Sequence, residues 1–97
     1  EHSLAFKDLN PQAPIHVLVI PKGAYVSLDD FSTNASEAEI VGFTRAVAEV
    51  ARHLGAVPDG YRIIANHGRD ADQTVAHMHV HILAGAQLGP LVAGKRG

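Results

Sequence analysis

Three histidines fall within five residues, His77-Met78-His79-Val80-His81, in strict alternation with apolar side chains. Imidazole is the side chain whose ordinary pKa lies closest to neutrality, so clustering it supplies an acid, a base, a nucleophile or a metal ligand at little cost in charge repulsion. In an extended segment from His77 to Leu83, successive side chains alternate faces, which puts all three imidazoles on one face, neighbours about 6.6 to 7 Å apart. That is close enough to bracket one phosphate. Met78, Val80 and Ile82 then point into the core and fix the register, since a slip of one residue would bury the rings instead. A merely solvated strand face is ordinarily built from Lys, Glu and Thr. Zinc is the rival chemistry, but three ligands on one straight strand span too far for an ion held at about 2.0 Å from each nitrogen, so only two of them could bind it unless the chain bulges.

The elements around this cluster follow from apolar spacing. Ser3 to Lys7 and Ile15 to Ile20 read as two strands, joined by the proline-stiffened Asn10-Pro11-Gln12-Ala13-Pro14. A polar stretch through Asp29, Asp30, Ser32 and Asn34 leads to a helix that starts at a Ser36/Glu39 capping box. Ile40, Phe43, Val47, Val50, Ala51 and Leu54 recur on one face of that helix, and Gly55 stops it. His53 near its last turn complements the helix dipole. Tyr61 to Asn66 reads as a third strand and Met78 to Ala84 as a fourth, while the glycine-rich tail from Leu88 to Gly97 is expected to wander over the surface. Strand, strand, helix, strand, strand predicts an α+β fold, an antiparallel sheet with a helix packed on one face.

Composition narrows the function. Ninety-seven residues, 46% of them hydrophobic, suit one domain over residues 1–97. Eight Lys and Arg against ten Asp and Glu leave no basic stripe for a nucleic acid polymer. The sequence lacks cysteine, a signal-peptide core and any apolar run long enough to span a bilayer, which points to the cytoplasm and away from a membrane. Asn34-Ala35-Ser36 matches a glycosylation acceptor, but serves better as a helix start.

Two blocks together resemble a known family. Asn66-His67-Gly68 followed by Gln73-Thr74-Val75-Ala76-His77-Met78-His79-Val80-His81 is similar to the signature of the histidine triad (HIT) family. Asp8-Leu9-Asn10-Pro11-Gln12-Ala13-Pro14-Ile15-His16-Val17-Leu18-Val19-Ile20-Pro21-Lys22 is similar to its Hint-like branch. The resemblance covers about residues 3 to 89. It implies a nucleotide-binding, phosphoramidase-like hydrolase acting on a nucleoside monophosphate derivative through a histidine-linked nucleotidyl intermediate, with no cofactor and no metal. It also implies a homodimer, and a family helix and strand that would precede Glu1.

Carried onto this chain, the resemblance makes His79 the nucleophile, with His81 bonding the phosphate and His77 connecting the site to His16. Asn66 and Thr74 would hold phosphate or leaving-group oxygens, Asp8 the ribose, and Phe6 and Leu9 would lie near the base. Each has a plainer alternative. Asp8 and Asn66 suit turn caps, Thr74 a strand former, and His16 a satisfied core histidine. The chain departs from the branch at His67, where an acidic residue is common, at Ala76, and in a tail without tryptophan. A metal-dependent hydrolase using triad ligands and a non-catalytic nucleotide-binding protein of the same fold stand as alternatives.

Overall fold

The computed structural model describes residues 2–92. The part of the expected surface tail over residues 93–97 lies outside the described residues. The elements are β1 (Ser3–Lys7), β2 (Ile15–Pro21), α1 (Leu28–Asn34), α2 (Glu37–His53), β3 (Arg62–Ile64), a 3-10 turn (Arg69–Ala71) and β4 (Val80–Ala84). The strands form one antiparallel sheet in the order β1-β2-β4-β3, so the α+β reading holds.

Helix α2 begins where the sequence predicts. The Ser36 hydroxyl accepts from the Glu39 amide at 3.1 Å while the Glu39 carboxylate accepts from the Ser36 amide at 2.9 Å, satisfying two donors that the first turn leaves unpaired. Gly55, at φ 74, terminates it in the left-handed region that costs glycine nothing. Its buried face is Phe43, Val47 and Ala51. Phe43 and Val47 pack with Val19 of β2, with Val80 and Ile82 of β4, and with Phe31 and Met78. Val19 and Ile82 are wholly buried, each contributing about 1.5 to 3 kcal/mol relative to exposure.

Where the sequence predicts only a polar connection, residues Leu28–Asn34 form a helix, α1. Ser27 caps it by accepting from the Asp30 amide at 3.2 Å, Asp29 and Asp30 favour its positive end, and Phe31 anchors it. The Phe31 ring stands edge-on to Tyr25 and to Phe43, each 5.3 Å away between centroids. The serine three residues before an aspartate was the available signal.

The third and fourth strands are shorter than expected. β3 keeps only Arg62–Ile64 of the predicted 61–66, and β4 begins at Val80, leaving His77, Met78 and His79 outside the ladder. Pro21 has no N–H to give a partner strand, and the Met78 amide turns away to donate to the Tyr25 carbonyl at 2.6 Å. Even so, Met78, Val80 and Ile82 all enter the core as the alternation predicted. Among the described residues no helix is long and apolar enough to cross a membrane.

Candidate active site

The site lies on the sheet face opposite α2. Because Val17, Val19, Val80 and Ile82 point inward, the alternate residues His16 and Leu18 of β2 and His81 of β4 point the other way. Leu18 faces His81 and His16 faces Leu83 in the register, so the two histidines are diagonal neighbours. Their ring centroids lie 5.1 Å apart, as do those of His79 and His81. The expected 6.6 to 7 Å between neighbouring rings is thus shortened, since the chain leaves strand geometry ahead of Val80.

The hydrogen-bond partners assign a tautomer to each neutral ring. A carbonyl oxygen only accepts, so the 2.8 Å contact of His79 Nδ1 with the His77 carbonyl is an Nδ1–H donating, and the lone pair of His79 sits on Nε2. By the same rule His77 donates from Nε2 to the Pro21 carbonyl at 3.0 Å. A backbone amide only donates, and the Gln12 amide meets His16 Nδ1 at 3.0 Å. His16 therefore carries its hydrogen on Nε2, which lies 2.8 Å from His81 Nδ1 and 3.4 Å from Asp8 Oδ2. His81 Nδ1 accepts, and its own hydrogen is on Nε2. Burial, then the neighbouring His79 and His16 rings, hold the His81 pKa below its ordinary 6.5, while the Asp8 carboxylate pulls weakly upward.

His16 is joined to His81, and His77 to Pro21, rather than His77 to His16 as the sequence reading had it. The remaining candidates divide. Phe6, Leu18, Ile20 and Val75 wall a recess of about 310 Å³ that His77 and His79 also line, so Phe6 is beside the histidines. Leu9 is fully exposed. Asp8 Oδ1 caps a turn by accepting the Asn10 amide at 2.8 Å, the plainer of its two readings, while Oδ2 lies 3.4 Å from His16 Nε2. Asn66 lines a separate recess of about 330 Å³ with Asp29, Ser32 and His67, and Thr74 is exposed. A larger recess of about 530 Å³ between β1 and the end of α2, lined by Ala5, Lys7, Val17 and Val50, contains no triad histidine.

Two contributors escaped the sequence reading. Gln73 gathers the approach to the triad: its Oε1 accepts the Gly68 amide at 2.8 Å, and its Nε2 donates to the Val26 and Val75 carbonyls at 2.7 and 3.0 Å. The other is the Gln12 amide, which residue type alone does not reveal.

Among the described residues, Asp8, His16 and His81 form a grouping compact enough for a metal, their ligand atoms lying within 4.8 Å of one another. The donor set fits poorly. Both nitrogens of His16 are committed, Nδ1 to an incoming amide and Nε2 to its own hydrogen, so a metal on Nε2 would demand a fully deprotonated ring.

Residues 1–88 match the HIT domain family. The chain belongs to the HIT family. This HIT domain is 63% identical over 92 residues to a 13.2 kDa HIT-like protein of Azospirillum brasilense, which spans 95% of this chain and 75% of that protein. It is 40% identical over 91 residues to the purine nucleoside phosphoramidase of Escherichia coli K12, covering 94% of this chain and 76% of the relative. Among solved structures, a histidine triad protein from Clostridium difficile superposes on the HIT domain with a TM-score of 0.84 at 39% identity, over 95% of this chain and 79% of the other.

Proposed function

We propose that this HIT domain hydrolyses nucleoside 5'-phosphoramidates, with His79 as the nucleophile. The observation that carries the reading is the Nδ1–H of His79 donating to the His77 carbonyl. It leaves Nε2 as an unprotonated nucleophile and places an acceptor where positive charge develops on the ring once Nε2 bonds to phosphorus. The N–P bond to the leaving amine breaks as the Nε2–P bond forms, and the amine takes a proton from water. A second water then attacks phosphorus, its proton going to the hydroxide left by protonation of the amine, and the electron pair of the breaking Nε2–P bond returns to Nε2.

The other residues supply binding. His81 Nε2–H, which has no protein partner among the described residues, donates to a phosphoryl oxygen, a role suited to a ring kept neutral near pH 7. Asp8 holds the ribose hydroxyls, and Phe6 with Leu9 flanks the base. Asn66 and Thr74 are assigned to phosphate or leaving-group oxygens, which a substrate would have to bring to them, since Asn66 lines the separate recess and Thr74 is exposed. The 40% identity to a purine nucleoside phosphoramidase supports this substrate class. A homodimer is part of the same proposal. The edge strand β3 exposes Ile63, and beside it an apolar groove of about 380 Å³, lined by Phe43, Val47 and Tyr61 among others, gives a second copy a surface to cover.

The test is His79→Ala. Turnover of adenosine 5'-phosphoramidate should fall by at least about 10⁴-fold, while adenosine monophosphate still binds. Wild-type enzyme quenched during turnover should yield a peptide containing His79 with the mass of one added nucleotidyl group. Undiminished turnover in the variant refutes the assignment. Turnover lost on chelation and restored by metal would favour the metal-dependent reading instead, and nucleotide binding with no release of amine the non-catalytic one.

A further inference from the structure

We propose that the loop joining β1 to β2 is a tautomer lock, in which the Gln12 amide sets the hydrogen on His16 and, through it, the hydrogen that His81 presents to the substrate. The proposal rests on the reading of His81 as a phosphate donor and adds to it a control element that touches no reacting atom and acts through the His16 ring.

The loop is built to hold that amide still. Its stem is closed by the Asp8 amide donating to the His16 carbonyl at 3.0 Å. Within it the Asp8 carboxylate accepts the Asn10 amide at 2.8 Å, and the Gln12 side chain donates back to the Asn10 carbonyl at 3.1 Å. Pro11 and Pro14 restrict the backbone on either side, and neither has an N–H of its own to offer. Gln12 thus supplies a donor in a segment where its proline neighbours cannot, and that donor is aimed at a histidine buried to 7% exposure.

The consequence runs through two rings. With Nδ1 occupied as an acceptor, His16 donates from Nε2 to His81 Nδ1. His81 must then carry its hydrogen on Nε2, the outward nitrogen. Reversing the first bond reverses the rest: His16 with hydrogen on Nδ1 offers a lone pair at Nε2, His81 turns its own hydrogen inward to meet it, and a lone pair faces the phosphoryl oxygens. An attractive contact becomes a repulsive one with no side chain displaced. His16 and Gln12 are positioning residues in this scheme, since neither touches the substrate. The 3.4 Å approach of Asp8 Oδ2 to the same Nε2–H reinforces the preferred state.

Long-range proton–nitrogen correlation spectra of the histidine-labelled free enzyme read the tautomers directly. His16 and His81 should carry hydrogen on Nε2 and His79 on Nδ1. Finding His16 in the Nδ1–H form in the unmodified protein overturns the lock outright, whatever any variant does. Gln12→Pro removes the amide hydrogen, and should let His16 divide between tautomers and lower kcat about tenfold at little change in KM, a fraction of what losing a donor outright costs. Gln12→Ala keeps the amide and should retain the His16 tautomer. A Gln12→Pro enzyme with wild-type tautomers and wild-type kcat also overturns the proposal. Failure of the nucleophile assignment is told apart because the tautomers are read without turnover.

Discussion

The Met78 amide donates to the Tyr25 carbonyl, and the Tyr25 hydroxyl in turn meets both carboxylate oxygens of Glu39 at 3.0 Å. Glu39 is the residue that closes the capping box on Ser36. The start of α2, the segment after β2 and the first residues of the triad are therefore one connected body. The histidines are aimed by a helix end some forty residues upstream as much as by the sheet.

A second tie lies one residue along, where Gln73 donates to the Val26 carbonyl. Gln73→Ala deletes three hydrogen bonds at once, and at a net worth of about 0.5 to 1.5 kcal/mol each it should cost roughly 1.5 to 4.5 kcal/mol in urea unfolding. Because Val75 is among its partners, kcat should drop with stability. A variant of wild-type stability and activity would show the tie to be idle.

His81 makes stability depend on pH. Its folded pKa lies below the ordinary 6.5, so between the two values the unfolded chain binds more protons than the folded one, and stability rises with pH. The contribution is complete above 6.5 and is lost as pH falls through the folded value. Urea midpoints measured from about pH 7.5 down to about pH 5 should decline, and His81→Gln should flatten part of that decline. An unchanged slope in the variant would place the dependence elsewhere.

Gly85 follows β4 with φ 94, and a Cβ there would sit 2.9 Å from the Pro14 side chain. Gly85→Ala should destabilise by about 1 to 3 kcal/mol from strain alone, with the contact adding to it. Pro14 belongs to the loop that carries Gln12, so the His16 tautomer signal should broaden as well. Thermal unfolding together with the same nitrogen spectra checks both effects.

Much of this was legible in residue spacing, and what was not has physical causes. The capping box, the apolar face of α2 and the inward set Met78, Val80 and Ile82 followed from periodicity, because burial imposes the same period on sequence and structure. The ends of β3 and β4 did not, since Met78 leaves the ladder for a carbonyl more than fifty residues away. Helix α1 was hidden by its polar composition, its single buried anchor being Phe31. The pairing of His16 with His81, rather than His77, depends on cross-strand register, which no local pattern encodes. Gln12 was invisible because the group that acts is its main-chain amide.

The acceptors that orient His77 and His79 are the main-chain carbonyls of Pro21 and His77. Every amino acid brings such an oxygen, so replacing the side chains lining the recess does not remove what aims the His79 ring. Phe6, Leu18, Ile20 and Val75 can accordingly be replaced without removing the oxygens that orient the two rings, so the shape of the recess and the aim of His79 are separately set.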